Sequence, residues 1–224
     1  REIPQRLAAA PVGVRMASEP SRRPIRARSA GWIQSLARGL GAAGLTPNAI
    51  STLGIVFAAG GAAAFYFAGA QDGAWLWWLG ALGIQLRLMC NLLDGLVAVE
   101  GGQGSPTGPL FNEVPDRVED ALLLLAAGYG AGAPAWGVAA TLFALFAPYL
   151  RATGVALGQD EDFVGPMAKQ HRMFTLTLAA ILAGFELEFA VVEVALIVIT
   201  VGTALTCLIR LQRIARGLRR GAGA

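Results

Sequence analysis

The chain has 224 residues, of which 55% are hydrophobic and only 15% charged, and its net charge at neutral pH is +3. A water-soluble domain carries about 25% charged residues. This shortfall, with a mean hydropathy of +0.55, argues against an ordinary soluble fold and for helices that are apolar on every side, as a bilayer requires. The 29 glycines fit close packing of membrane helices, and the two cysteines, Cys90 and Cys207, lie in apolar stretches that favour neither a disulfide framework nor a zinc site.

Basic residues gather at the two ends. Eight of the eighteen fall between Arg1 and Arg38, and five more between Arg210 and Arg220. Basic segments flanking apolar spans face the headgroups of the cytoplasmic leaflet, so lipid rather than nucleic acid is the expected partner.

Residues 1–29, rich in Arg, Pro, Ser and Ala, read as a basic, poorly ordered tail with no cleavable signal core. From Ala30 to Leu40 apolar and polar positions alternate at helical spacing around Trp32, the pattern of a short amphipathic helix lying in the headgroup layer. Six apolar spans follow, at about 48–70, 74–99, 109–130, 135–157, 173–187 and 191–209, each near the length a helix needs to cross. The expected fold is therefore all-α: a polytopic membrane protein of six transmembrane helices behind an N-terminal interfacial helix, with a membrane domain over 30–212 and a basic C-terminal tail over 213–224. The connections near 71–73, 130–134 and 185–188 hold no Lys or Arg, whereas the one after the fourth span holds Lys169 and Arg172. Positive loops stay inside, which puts both termini on the cytoplasmic side of a cell (inner or plasma) membrane.

Charges inside spans cost about 2.5–3.5 kcal/mol each on insertion, which makes them functional candidates. Here they cluster between Asn91 and Asp120. Asn91 and Asp94 share a face of the second span, and Asn112, Asp116 and Asp120, four apart, line the third. The two spans run antiparallel across a short glycine-rich loop, EGGQGSPTG, so these faces can meet at the cytoplasmic end. Oxygen ligands converging from two helices suit a hard cation such as Mg²⁺ or Mn²⁺, and such an ion suits phosphoryl chemistry. Arg87, one turn before Asn91, is expected to pair with a carboxylate or to snorkel, and Arg117 to neutralise Glu113 or Asp120.

The run NLLDGLVAVEGGQGSPTGPLFNEVPD, residues 91–116, resembles the signature of the CDP-alcohol phosphotransferase family, D-x-x-D-G-x-x-A-R, eight residues, then G-x-x-x-D-x-x-x-D. Asn91, Asp94, Gly95, Ala98, Val99, Gly108, Asn112 and Asp116 occupy its fixed places. The segment LTPNAIS (Leu45 to Ser51) is similar to the opening of that family's first helix.

The resemblance implies a metal-dependent transferase that moves a phosphoalcohol group from a CDP-linked lipid donor, CDP-diacylglycerol above all, to an acceptor alcohol with release of CMP, in phospholipid synthesis. It implies Asn91, Asp94, Asn112 and Asp116 as ligands of Mg²⁺ or Mn²⁺, and Asp116 also as the catalytic base. Gly95, Ala98 and Gly108 would pack against the nucleotide, and a homodimer is expected. The chain departs from the signature at Asn91 and Asn112, where aspartates are expected, and at Val99, where arginine is expected. An Asn oxygen ligates without charge, so divalent ions bind more weakly; nearby Glu113, Glu119 and Asp120 are candidates to compensate.

A second polar group, Arg151 in the fourth span with Lys169, His171 and Arg172 ahead of the fifth, can bind a phosphate or carboxylate of the acceptor. For Lys169 and Arg172 contact with lipid phosphates is the competing reading. Two other functions stay open: a catalytically impaired relative that binds CDP-lipid or scaffolds a synthase, and a small transporter, which the location of the charges at one membrane face disfavours.

Overall fold

The computed structural model describes residues 31–70, 73–100, 106–186 and 190–221. These form seven helices and no strand: α1 (Gly31–Ala42), α2 (Pro47–Ala70), α3 (Ala74–Glu100), α4 (Gly108–Gly130), α5 (Pro134–Ala156), α6 (Lys169–Ala183) and α7 (Val191–Gly221). The expected tail over 1–29 and the glycines of the loop at 101–105 lie outside the described residues.

Four helices are long and apolar enough to cross a membrane: α2, α3, α5 and α7. The other two expected spans depart for separable reasons. The first half of α4 carries Glu113, Asp116, Arg117, Glu119 and Asp120, which removes it from any purely apolar class. Helix α6 has only 15 residues, a length of about 22 Å. It also begins earlier than the sequence suggests, so that Lys169, His171 and Arg172 form its first turn rather than a preceding loop. At the C-terminus α7 continues to Gly221, and Arg213, Arg216, Arg219 and Arg220 belong to its last turns rather than to a separate tail.

Helix α2 packs on α3 and α4, α5 on α4 and α7, and α6 closes the bundle against α3 and α7. Small residues set the closest approaches. A Cβ on Gly83 of α3 would stand 2.6 Å from the Cα of Gly61 on α2, and a Cβ on Gly128 of α4 would stand 2.6 Å from the Cα of Gly137 on α5. Backbones in such contact gain dispersion along their length, the main attraction available where lipid is as apolar as the helix. The core between the helices holds Phe65, Ile84, Leu123, Leu124, Met173 and Leu196 among its largest members.

Helix α1 packs through one apolar face. Ile33 and Ala37 are buried with Ile50, Leu93, Leu96 and Val97, while Trp32 on the opposite side is 62% exposed. The helix therefore covers the end of α3 that carries Asp94, and braces it from outside the bundle.

Candidate functional site

Three helices bring the polar residues together: α3 through Arg87, Asn91 and Asp94, α4 through Glu113 to Asp120, and α6 through Lys169 and Arg172. Arg87, Asn91 and Asp94 follow one another at one-turn intervals along one side of α3; the first two reach α4 and Asp94 reaches Ser51 of α2.

At the deepest level Arg87 has no exposed surface. Its Nη1 donates to Glu119 Oε2 at 2.9 Å and its Nη2 to Asp120 Oδ1 at 2.6 Å. Arg172 closes the other side, with Nη2 donating to Asp120 Oδ2 at 2.8 Å and Nη1 to the carbonyl of Met167 at 3.4 Å. Asp120 thus joins α3 to α6 through α4. Two buried carboxylates are matched by two guanidiniums, the condition under which buried charge is tolerated.

One turn outward, Asn91 Nδ2 donates to Asp116 Oδ1 at 2.6 Å and to Glu119 Oε2 at 3.1 Å. Lys169 at the start of α6 donates to the same Asp116 oxygen, while Asp116 Oδ2 lies 3.9 Å from Arg117 Nη1. Asp94 accepts from Ser51 Oγ of α2 at 2.6 Å through Oδ2. Its other oxygen, Oδ1, is buried without a hydrogen-bond partner among the described residues, as is Glu119 Oε1.

The outermost level is an open cavity of about 180 Å³ between α4, α5, α6 and α7. Arg117, Arg151, Lys169, Arg172 and Arg210 line it against only two carboxylates, Glu113 and Asp116. Five cations against two lining anions give the cavity a positive lining, although Arg151 and Arg172 also pair with Glu161 and Asp120. Arg151 bridges Glu113 at 2.8 Å and Glu161 of the α5–α6 connection at 3.1 Å, and its guanidinium lies 5.1 Å from the centre of the Phe163 ring. Arg210 is fixed by the carbonyls of Ala147 at 2.7 Å and Val164 at 3.0 Å.

Of the residues singled out in the sequence, Asn91 is bonded to Asp116, Asp94 lies one turn further along α3 and is bonded to Ser51 of α2, and Arg151, Lys169 and Arg172 line the cavity with Asp116. Gly95 and Ala98 continue α3 past Asp94, and Gly108 begins α4. Two residues fall away. Asn112 is exposed, and His171 is exposed with its Nδ1 accepting from the backbone N–H of Ala168, a local contact at the helix start. The expected compensation by Glu113, Glu119 and Asp120 is not free, because each already pairs with arginine. Arg117 pairs with Glu113 and not with Asp120. Arg210, grouped by sequence with the lipid-facing terminal arginines, is buried against the cavity.

The donor set bears directly on metal binding. Among the described residues no three His, Cys, Asp or Glu side chains converge on one point, which does not fit a pair of divalent ions. One hard ion does fit. Mg²⁺ is commonly held by one or two carboxylates plus the phosphates of its substrate. Asp94 and Asp116 are the two carboxylates that would supply such a set, and the unpartnered Asp94 Oδ1 is an acceptor that a cation would satisfy.

No family model matches the chain, and no curated protein matches it by sequence. Solved structures do match in fold. The phosphatidylinositol phosphate synthase of Mycobacterium tuberculosis in complex with manganese and citrate superposes with a TM-score of 0.70 at 22% identity, over 81% of this chain and 88% of that one. The same enzyme with CDP-DAG bound gives 0.70 at 21% identity over 81% and 92%, and its apo form 0.65 at 21% over 80% and 93%. At this identity the likeness is one of fold, and it extends over most of both chains.

Proposed function

We propose that this chain transfers a phosphoalcohol group from a CDP-linked lipid donor to an acceptor alcohol in the membrane, releasing CMP, as a step of phospholipid-type synthesis. The observation that carries this reading is the adjacency of Asp116 to the cationic cavity, which puts a carboxylate next to a phosphate-sized receptor at one end of the bundle. The neighbour of like fold binds CDP-DAG, which supports CDP-diacylglycerol as the donor here.

In this reading all six helices from α2 to α7 cross the bilayer, the short α6 included, with the charged half of α4 at headgroup depth, both termini cytoplasmic, and two chains forming a dimer. The apolar second half of α4, residues 121–130, supports the first of these points. Asp94 and Asp116 would hold Mg²⁺ or Mn²⁺, which when bound neutralises the donor's diphosphate. The manganese in the neighbour's structure supports a divalent ion.

The protein's own groups then act as follows. Asp116 Oδ1 is held by Asn91 and Lys169, leaving Oδ2 to take the proton of the acceptor hydroxyl. Arg151 and Arg172 bind the acceptor's anionic group, and Arg210 adds a fixed positive charge. Gly95 and Ala98 near the end of α3 and Gly108 at the start of α4 carry little bulk, which would let a nucleotide lie against the backbone.

CMP release from the purified chain in lipid nanodiscs tests the proposal. CDP-diacylglycerol, Mg²⁺ or Mn²⁺ and a panel of acceptor alcohols are supplied, with Asp116→Ala in parallel. Metal-dependent release that Asp116→Ala abolishes supports the transferase. Binding of CDP-lipid without release by any acceptor would instead make the chain a catalytically silent binder, a reading favoured by the two donors already seated on Asp116.

A further inference from the structure

We propose that Lys169 is a built-in replacement for a second divalent cation, its ammonium holding Asp116 where an ion would otherwise sit, so that the centre takes one exchangeable ion. This deepens the reading of the site as a divalent-ion centre for a CDP-linked donor, and it is carried by three observations.

The first is charge. Asn91 and Asn112 are neutral and Lys169 already balances one of the two charges that Asp94 and Asp116 offer, so a single divalent cation more than neutralises what remains. A second would leave an excess of positive charge beside Lys169, Arg117 and Arg87, which repels it. The second is occupancy. Asp116 Oδ1 already accepts from both Asn91 Nδ2 and Lys169, whereas Asp94 Oδ1 is buried without a partner among the described residues.

The third is placement. Lys169 is only 24% exposed along its side chain, and it is the first residue of α6. One turn further along, Arg172 binds Asp120, which lies one turn beyond Asp116 on α4. The two helices are thus joined by consecutive cation–carboxylate rungs, Lys169 to Asp116 and Arg172 to Asp120. The lower rung is buried and fixed through Arg87. That ladder sets the position of the lysine, unlike a solvated surface lysine that pairs by chance.

The test reads metal binding alone, with no donor or acceptor present, so its result is independent of whether the chain proves to be a transferase. Full-length protein in nanodiscs of neutral lipid is titrated with Mn²⁺ and free ion followed by electron paramagnetic resonance. The wild type is expected to bind no more than one ion per chain. Lys169→Gln is expected to bind Mn²⁺ at least tenfold more tightly, because a unit charge a few ångströms from a divalent ion has been removed. Lys169→Arg, which keeps the charge, is expected to match the wild type and serves as the control for folding. Two ions on the wild type overturn the proposal. So does a Lys169→Gln protein whose Mn²⁺ affinity is unchanged or weaker, including the case in which neither protein binds the ion.

Discussion

Arg87 and Asp120, on helices α3 and α4, are joined by a 2.6 Å hydrogen bond between groups that are 0% and 1% exposed. Neither ion can be rehydrated without opening the bundle, so the bond behaves as a structural clamp. Arg87→Met leaves Glu119 and Asp120 buried with one guanidinium between them. Removing one partner of a buried pair costs about 3–5 kcal/mol. By contrast Arg117→Met, at a pair whose members are 25% and 46% exposed, is expected to cost less than about 1 kcal/mol. Thermal unfolding of the two variants in the same detergent compares them directly, and equal losses would show that the clamp carries no special weight.

Asp116 is placed differently. It is 17% exposed and borders the cavity, so its loss should fall on activity more than on folding. Asp116→Asn is expected to lower CMP release by about 10²-fold or more, the scale of a general base, with a change in stability near 1 kcal/mol or less. Turnover and melting temperature measured on one preparation separate the two effects. A variant that keeps turnover would remove Asp116 from the chemistry.

The order of helices was legible because hydropathy reports it directly. Trp32 and the alternation around it also marked α1 before any contact was known. The site was legible in part. Asn91, Asp94 and Asp116 stand out in the sequence because polar residues are costly within spans. Asn112 is exposed, because a spacing of four drifts by about 40° per step on a helix of 3.6 residues per turn and turns it about 80° round α4 from buried Asp120. Arg87 carried the same cost signal as its neighbours, but its partners, 32 and 33 residues away, emerge only once α3 and α4 are packed. Nothing in sequence separates Arg210, bonded to two carbonyls, from the exposed arginines that follow it.

The approach of α2 to α3 predicts a steep contrast between a glycine at the contact and one away from it. A Cβ on Gly83 would meet the Cα of Gly61 at 2.6 Å and the carbonyl of Phe57 at 2.9 Å, whereas one on Gly60 would meet nothing within 4 Å. Backbone must move in the first case, and overpacking of this kind costs about 1–3 kcal/mol. Gly83→Ala is expected to lower the melting temperature by several degrees, and Gly60→Ala to leave it unchanged or slightly raised through helix propensity.

The last prediction concerns the arginine that two carboxylates share. Arg151 holds Glu113 and Glu161 at once. An incoming phosphate must compete for the same guanidinium, and Glu161, on the connection rather than a helix, is the partner easier to displace. Glu161→Gln removes that competitor while keeping its size, so the KM for an anionic acceptor should fall several-fold. Arg151→Gln removes the receptor and should raise KM about tenfold or more, the scale of a charge-assisted hydrogen bond. Both effects should shrink as ionic strength rises, since the cavity is open to solvent. Acceptor titrations at two salt concentrations test the pair, and shifts of the same sign in both variants would show that Glu161 supports the cavity instead of competing for it.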